Sequence, residues 1–357
     1  MNMANCRPAR RWMMSEQFLL PGCSQSELQE FLLQQGEKPF RAKQICSWLY
    51  GKCEFDVMQM LNLPLALREK LRESAGSPRS QVVECAAGSG GTEKLLIKLF
   101  DGELIEMVLI PSPERMTFCL STQVGCPVRC RFCASGAHGL VRNLQCDEIL
   151  EEFYYGVKQH GALPDNIVFM GIGEGLLNWK NLRRALEVLS APDDEGFGMS
   201  PRRITVSTSG YVPGMQEFAA WGRPYNLAVS LHAVDDLTRS KLIPDNCRYP
   251  ISEILQACEL YAEKAGRMVT FEYTLIDGIN DDPAMGRELG RIAHRLHAKV
   301  NLIACNPVDG TFARPPEKRL DEFQKAVREF AFSVTMRVEK GSSAASACGQ
   351  LRIKRTK

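Results

Sequence analysis

No stretch of this 357-residue chain approaches the ~20 consecutive apolar residues that a membrane-spanning helix needs. The start of the chain carries Arg7, Arg10 and Arg11 but lacks the apolar run of a secretory signal. A cytoplasmic protein without a membrane partner is expected, read as a monomer. Charge of one sign is also scarce: the net charge is +2, so global basicity announces no polyanionic partner. Cysteine is the exception, with fourteen residues. Their irregular spacing in a chain of this length argues against a disulfide scaffold and leaves metal binding or thiol chemistry. Most stand in no motif (Cys6, Cys23, Cys46, Cys53, Cys85, Cys146, Cys247, Cys258 and Cys305) and read as small buried or incidental residues.

The chain divides by its period. Residues 1–14 read as a disordered tail and 15–75 as a small helical accessory domain, with apolar residues at helical spacing over Gln25–Leu33, Arg41–Tyr50 and Leu65–Ser74. Over 76–112 the period becomes strand-like, in Gln81–Cys85, Lys94–Phe100 and Glu103–Ile110. Gly88–Gly91 and Asp101-Gly102 supply the turns of this antiparallel β-hairpin unit. From 113 to 348 apolar strand cores (Thr117–Leu120, Ile167–Met170, Ile204–Val206, Leu227–Val229, Val269–Leu275, Val300–Ala304 and Val334–Val338) alternate with helices such as Leu182–Ser190, Ile251–Lys264 and Gly286–His297. Nearly all-apolar strands in repeated β-α units predict an α/β fold. Its parallel sheet should have both faces covered and be curled into a complete or partial (β/α) barrel. A basic tail, 349–357, follows.

Small and polar residues gather where these strands end: Gly171–Glu174, Ser207–Gly210, Ser230–His232 and Asn306-Pro307. Carboxyl ends of parallel strands are where such folds place their sites, and four endings of this kind point to one shared site. Each residue taken alone is as well explained as a satisfied loop polar group.

Cys126, Cys130 and Cys133 have the spacing C-x3-C-x2-C on the loop leaving the first barrel strand. Three thiolates can each hold one corner of a [4Fe-4S] cluster and leave the fourth iron open. In radical S-adenosylmethionine (SAM) enzymes that iron takes the amino and carboxylate end of SAM. It then passes an electron into the sulfonium, and the carbon–sulfur bond breaks to give a 5′-deoxyadenosyl radical. The competing reading is structural zinc. That needs a fourth ligand, and no second Cys-x2-Cys or His pair lies nearby, although Cys119 or Cys146 is in reach of the count. Gly173-Glu174, Ser207, Ser230, Leu231, His232 and Asn306 are the candidate SAM contacts.

Together, Cys126–Cys133, Met170–Glu174, Ser207–Gly210, Ser230–Ala233, Ala347–Leu351 and Gly36–Arg41 resemble the RlmN/Cfr family of radical SAM RNA methyltransferases, in order over residues 15–351. The resemblance implies a radical SAM partial barrel over 113–348 and an RNA-binding role for the accessory domain. It further implies that Cys348 accepts a methyl group from one SAM, and that a second SAM, cleaved at the cluster, takes a hydrogen from that S-methyl group. The methylene radical adds to a ring carbon of adenine. Cys119 removes the ring proton and then releases the base through a transient disulfide with Cys348, and Glu106 serves in proton transfer. The implied partners are 23S rRNA, tRNA in some members, and an electron donor such as flavodoxin or ferredoxin. Arg142-Asn143, Arg202-Arg203 and the basic tail are candidate backbone contacts, although solvated surface charge is the ordinary reading of each.

The chain departs from the commonest RlmN pattern at Gly175, where a proline usually follows Gly-Glu, and at Gly341–Ser343, usually Gly-Asp-Asp. Ser200–Arg203 and Arg248–Pro250 look more like the Cfr branch. Methylation at C2, as RlmN does, is the favoured reading because it is the widespread housekeeping reaction, and C8, as Cfr does, is the alternative. Two further readings also remain: a radical SAM enzyme of another type, which would not need Cys348, and a non-catalytic RNA-binding or zinc-structured assembly factor.

Overall fold

The structure, a computed structural model, describes residues 18–75, 78–192, 195–244, 248–307 and 310–337. The tails expected at 1–14 and 349–357 lie outside the described residues, as does Cys348. The accessory domain opens with α1 (Gln25–Gln34), α2 (Arg41–Cys46) and α3 (Leu65–Ser74). Ser24 and Glu27 cap α1 reciprocally, each side chain taking the other's backbone N–H. The helix expected over Arg41–Tyr50 is regular only to Cys46; its last turn, Ser47–Gly51, is a wider π turn.

Three antiparallel strands follow, β1 (Gln81–Ala87), β2 (Glu93–Lys98) and β3 (Leu104–Ser112), then β4 (Arg115–Cys119). After β4 come the short β5 (Gln123–Gly125) and β6 (Leu140–Asn143), α4 (Cys146–His160), β7 (Asn166–Phe169), α5 (Trp179–Ser190), β8 (Ile204–Thr208), α6 (Val212–Trp221) and β9 (Asn226–Ser230). The chain closes with α7 (Asp236–Leu242), α8 (Ile251–Ala265), β10 (Thr270–Leu275), α9 (Pro283–Arg295), β11 (Lys299–Ala304), α10 (Glu317–Arg328) and β12 (Val334–Arg337). One ten-stranded sheet runs β1-β2-β3-β4-β7-β8-β9-β10-β11-β12, parallel from β4 onward. The antiparallel unit is therefore a wing of the main sheet, joined through the pairing of β3 with β4.

The parallel strands are less uniformly apolar than their sequence suggested. In β10, Phe271, Tyr273 and Leu275 enter the main hydrophobic core, whereas Glu272 and Thr274 line a cavity on the other face. In β9, Leu227 and Val229 enter the core and Ser230 the cavity. Period-two alternation thus gives each strand one face under helices and one for the site. The accessory domain packs against α4 and α5: Arg184 Nε donates to Gly22 O (2.8 Å), and Lys158 Nζ lies 2.6 Å from a Glu54 oxygen. Among the described residues, no helix is long and apolar enough to cross a membrane.

Candidate active site

The loop that carries the three cysteines is the connection between β5 and β6, which pair antiparallel. Its ends are closed by the Cys126 N–H donating to Gly139 O (3.1 Å), and its interior turns by Cys133 N–H to Cys130 O (3.1 Å). Gly125 has φ +73, and a Cβ there would run into the Gly139 carbonyl oxygen, so only glycine lets the two strands meet at this point. Arg131 N–H donates to Leu242 O (3.0 Å), which fixes the loop against the end of α7.

Cys126, Cys130 and Cys133 line one cavity with Cys119, Gly173, Glu174, Ser207, Ser230, His232 and Asn306. The polar strand endings therefore do converge. The space is about 1260 Å³, open mouth included. Burial pushes the Cys126 thiol up to about 12 and holds the Cys130 thiol well above its ordinary value too. Such thiols become thiolates only around a positive centre. Among the described residues, no three His, Cys, Asp or Glu side chains close on one point as a single ion such as zinc requires. Ligands to a four-iron cube each take a different corner, and three cysteine thiols on one cavity wall are the donor set that such a cluster takes.

Glu174 is buried, and burial raises its pKa. One carboxylate oxygen accepts from Ser209 N–H (2.6 Å) and Ser209 Oγ (2.8 Å), the other from Leu176 N–H (3.2 Å). The carboxylate thus splints the loop after β7 to the loop after β8, with limited lone-pair capacity left for a ligand. Gly173 has φ +117, and a Cβ there would come within 2.7 Å of Thr122 Oγ1 and 2.8 Å of Gln123 Cβ. Ser207 Oγ donates to Phe169 O (2.7 Å). His232 accepts at Nδ1 from Thr274 N–H (2.9 Å), which leaves the ring proton on Nε2. Burial, and then the nearby Arg239 charge, push its pKa down to about 3, so it is a neutral donor at pH 7. Phe132 of the cysteine loop meets its ring edge-on at 4.8 Å.

Two predicted residues among the described ones, Leu231 and Glu106, do not line this cavity. The Leu231 side chain is in the core, and its N–H donates to Glu272 O (3.0 Å). Glu106 is buried on β3, on the same strand face as the cavity-lining Val108 and Ile110, with its carboxylate 2.8 Å from Lys94 Nζ. Cys348 lies outside the described residues. Cys119 is buried at the end of β4, flanked by Val108 of β3 and Val168 of β7. Arg142 is engaged as a clasp: its guanidinium reaches Asp101 (2.7 Å) and both oxygens of Glu148 (2.7 and 2.8 Å).

Sequence reasoning missed the groups that tie the strand ends together. Glu272 lines the cavity and accepts from Asn301 Nδ2 (2.7 Å); burial pushes its pKa up to about 7, against the charge of Arg337. Buried Arg239 donates to Ser209 O and Leu231 O, and buried Asn280 to His232 O and Thr274 O. A lone acid inside an apolar strand was the available signal for Glu272. Arg239 and Asn280 gave none.

Two family descriptions match the chain: the ribosomal RNA large subunit methyltransferase N-terminal domain over residues 19–76 and the radical SAM superfamily over 120–286. The "Probable dual-specificity RNA methyltransferase RlmN" of Akkermansia muciniphila is 41% identical over 346 residues, 94% of this chain and 96% of that protein. The "Dual-specificity RNA methyltransferase RlmN" of Geotalea uraniireducens is 41% identical over 327 residues, 91% and 94% of the two chains. The crystal structure of a radical SAM methyltransferase from Sphaerobacter thermophilus superposes with a TM-score of 0.89 at 40% identity, covering 94% of this chain and 99% of that one.

Proposed function

The chain belongs to the RlmN family of radical SAM RNA methyltransferases, and from that premise we propose that it methylates C2 of an adenosine in large-subunit (23S) ribosomal RNA and in tRNA. Its cofactors are those of the family, a [4Fe-4S] cluster and SAM. One observation carries the reading: Cys119 shares a cavity with the three cluster cysteines and with Glu174, Ser207, Ser230, His232 and Asn306.

When bound, the cluster and SAM supply one-electron chemistry that makes an unreactive methyl group reactive. The chain's own residues do the rest. Cys126, Cys130 and Cys133 hold three irons. Gly173, Glu174, Ser207, Ser230, His232 and Asn306 seat the cofactor, His232 as a donor from Nε2. Leu231, anchored in the core, sets the placement of its two neighbours. Val108, Ile110, Met170 and Ile303 form an apolar wall that limits water. Cys348 takes the methyl group on sulfur, Cys119 accepts the ring proton, and Glu106, beside Lys94, moves protons. An adenine must leave its stack to enter such a cavity. The accessory domain of residues 15–75 is assigned to holding the RNA. The protein is taken to work as a cytoplasmic monomer with a flavodoxin or ferredoxin as its reductant.

Expression in a strain lacking its own adenine methyltransferase, with mass spectrometry of digested rRNA and tRNA, tests the reading. 2-Methyladenosine is expected. 8-Methyladenosine would move the enzyme to the reaction of the Cfr branch, and neither product would remove the RNA assignment.

A further inference from the structure

A second cavity of about 880 Å³, mouth included, lies against the cluster-binding loop. Pro127, Val128 and Arg129 of that loop form one wall, and Tyr211, Arg248 and Tyr249 form another. Val128, Glu174 and Ser209 line this cavity and the active-site cavity alike, so single side chains separate the two. The rim is basic. Arg129, Arg131, Lys241 and Arg248 are all exposed, and the Arg131 N–H···O=C Leu242 bond brings the end of α7 beside the loop. Glu174 below is buried and engaged by Ser209 and Leu176, and Asp236 at the same corner accepts from Ile251 N–H (2.8 Å). Leu237, one turn before Lys241 on α7, is 71% exposed, and Leu177 at the cavity edge is 39% exposed. The face thus has apolar anchors beside a rim on which Arg129, Arg131, Lys241 and Arg248 outnumber the exposed acid Asp236.

We propose that this face docks the acidic electron-carrier protein that reduces the cluster. The proposal rests on the cluster assignment above. In the step itself one electron passes from the carrier's reduced flavin or iron–sulfur centre to the cluster; the carrier is oxidised by one electron, the cluster is reduced by one, and no bond is made or broken. Redox encounters of this kind use small interfaces steered by opposite charge, and here the steering surface is the backing of the cluster loop itself. RNA is the less favoured occupant on placement. The accessory domain packs on α4 and α5, and Glu106 sits on the wing beyond β4, whereas this cavity opens where α6 and α8 begin.

The test compares the iron-loaded wild type with a K241E/R248E double variant, using a reduced flavodoxin of net negative charge under anaerobic conditions. Stopped-flow bleaching of the cluster should slow about tenfold or more at low salt, with the gap closing as salt screens the charges. Reduction by dithionite, and affinity for a large-subunit rRNA fragment, should not change. Binding of the cluster-free protein to immobilised flavodoxin should weaken by a similar factor, which gives a readout independent of catalysis. If the double variant does not fold, R248A and the salt dependence of the wild type carry the same expectation. An unchanged flavodoxin rate overturns the proposal, and so does RNA affinity falling in its place. A wild-type chain that binds no iron would be a different failure, that of the cluster assignment.

Discussion

The loop from Cys126 to Gly139 and the wing strand that carries Glu106 serve the same cavity by different means. The loop is pinned by backbone: its ends are hydrogen-bonded strands, and Gly125 has no room for a side chain. Around it, Glu174, Arg239 and Asn280 spend their polar groups on main-chain atoms of neighbouring strand ends. Glu106 instead faces the Lys94 ammonium across two strands of the wing. Metal ligands and cofactor seats need fixed positions, which backbone pairing supplies. In the proposed reaction Glu106 gains and loses a proton, and an ion pair supplies the tunable counter-charge that such a group needs.

The sharpest way to break this contrast is to remove a loop ligand. Cys130→Ala should abolish the iron chromophore and all methyladenosine formation while far-ultraviolet circular dichroism stays native; retained iron would refute the ligand assignment. Next in size is Glu174→Ala, which strands the N–H groups of Ser209 and Leu176. A loss of roughly 3–5 kcal/mol in denaturant unfolding is expected. A change under 1 kcal/mol would mean that the strand ends do not depend on this splint.

On the wing, Lys94→Met removes the ammonium that faces the buried Glu106 carboxylate. About 2–3 kcal/mol of stability should go, with methylation slowed and the cluster's absorption spectrum unaltered. Lys94→Arg should restore most of both. A spectrum that moved with Lys94 would erase the distinction between the two regions.

The smallest effect concerns pH. Glu272, pushed up to about 7 in the folded protein, holds its proton between pH 4.5 and 7 while the unfolded chain has lost it. Stability from this group is full below about pH 4.5 and falls as pH rises through 7. Glu272→Gln should therefore gain on the wild type by about 1–3 kcal/mol between pH 4.5 and 8, read from urea midpoints; a gain in the opposite direction would contradict the burial argument.

The two regions also differed in how far the sequence revealed them. C-x3-C-x2-C is legible because all three ligands sit within one short loop. The polar strand endings are legible because parallel β-α units bring every carboxyl end to the same side. Arg239, Asn280 and Glu272 escaped notice because each also bonds to a second strand end, at Ser209, His232 and Asn301, 29 to 48 residues away, and no local spacing encodes such a pairing. The ion pair of Arg142 with Asp101, 41 residues earlier, was hidden for the same reason. The wing's junction with the main sheet was hidden as well, since a hairpin pattern reads identically whether or not its last strand has a parallel neighbour.

That junction has a consequence for Cys119. Its residue is paired on both sides, with Val108 in one direction of travel and Val168 in the other, and Leu120 N–H continues the ladder to Val168 O. Amide protons along this stretch should exchange with deuterium only in global unfolding, among the slowest in the chain. Cys119 is in that sense an anvil. Whatever chemistry takes place at its sulfur, the approach and the retreat belong to the other participants.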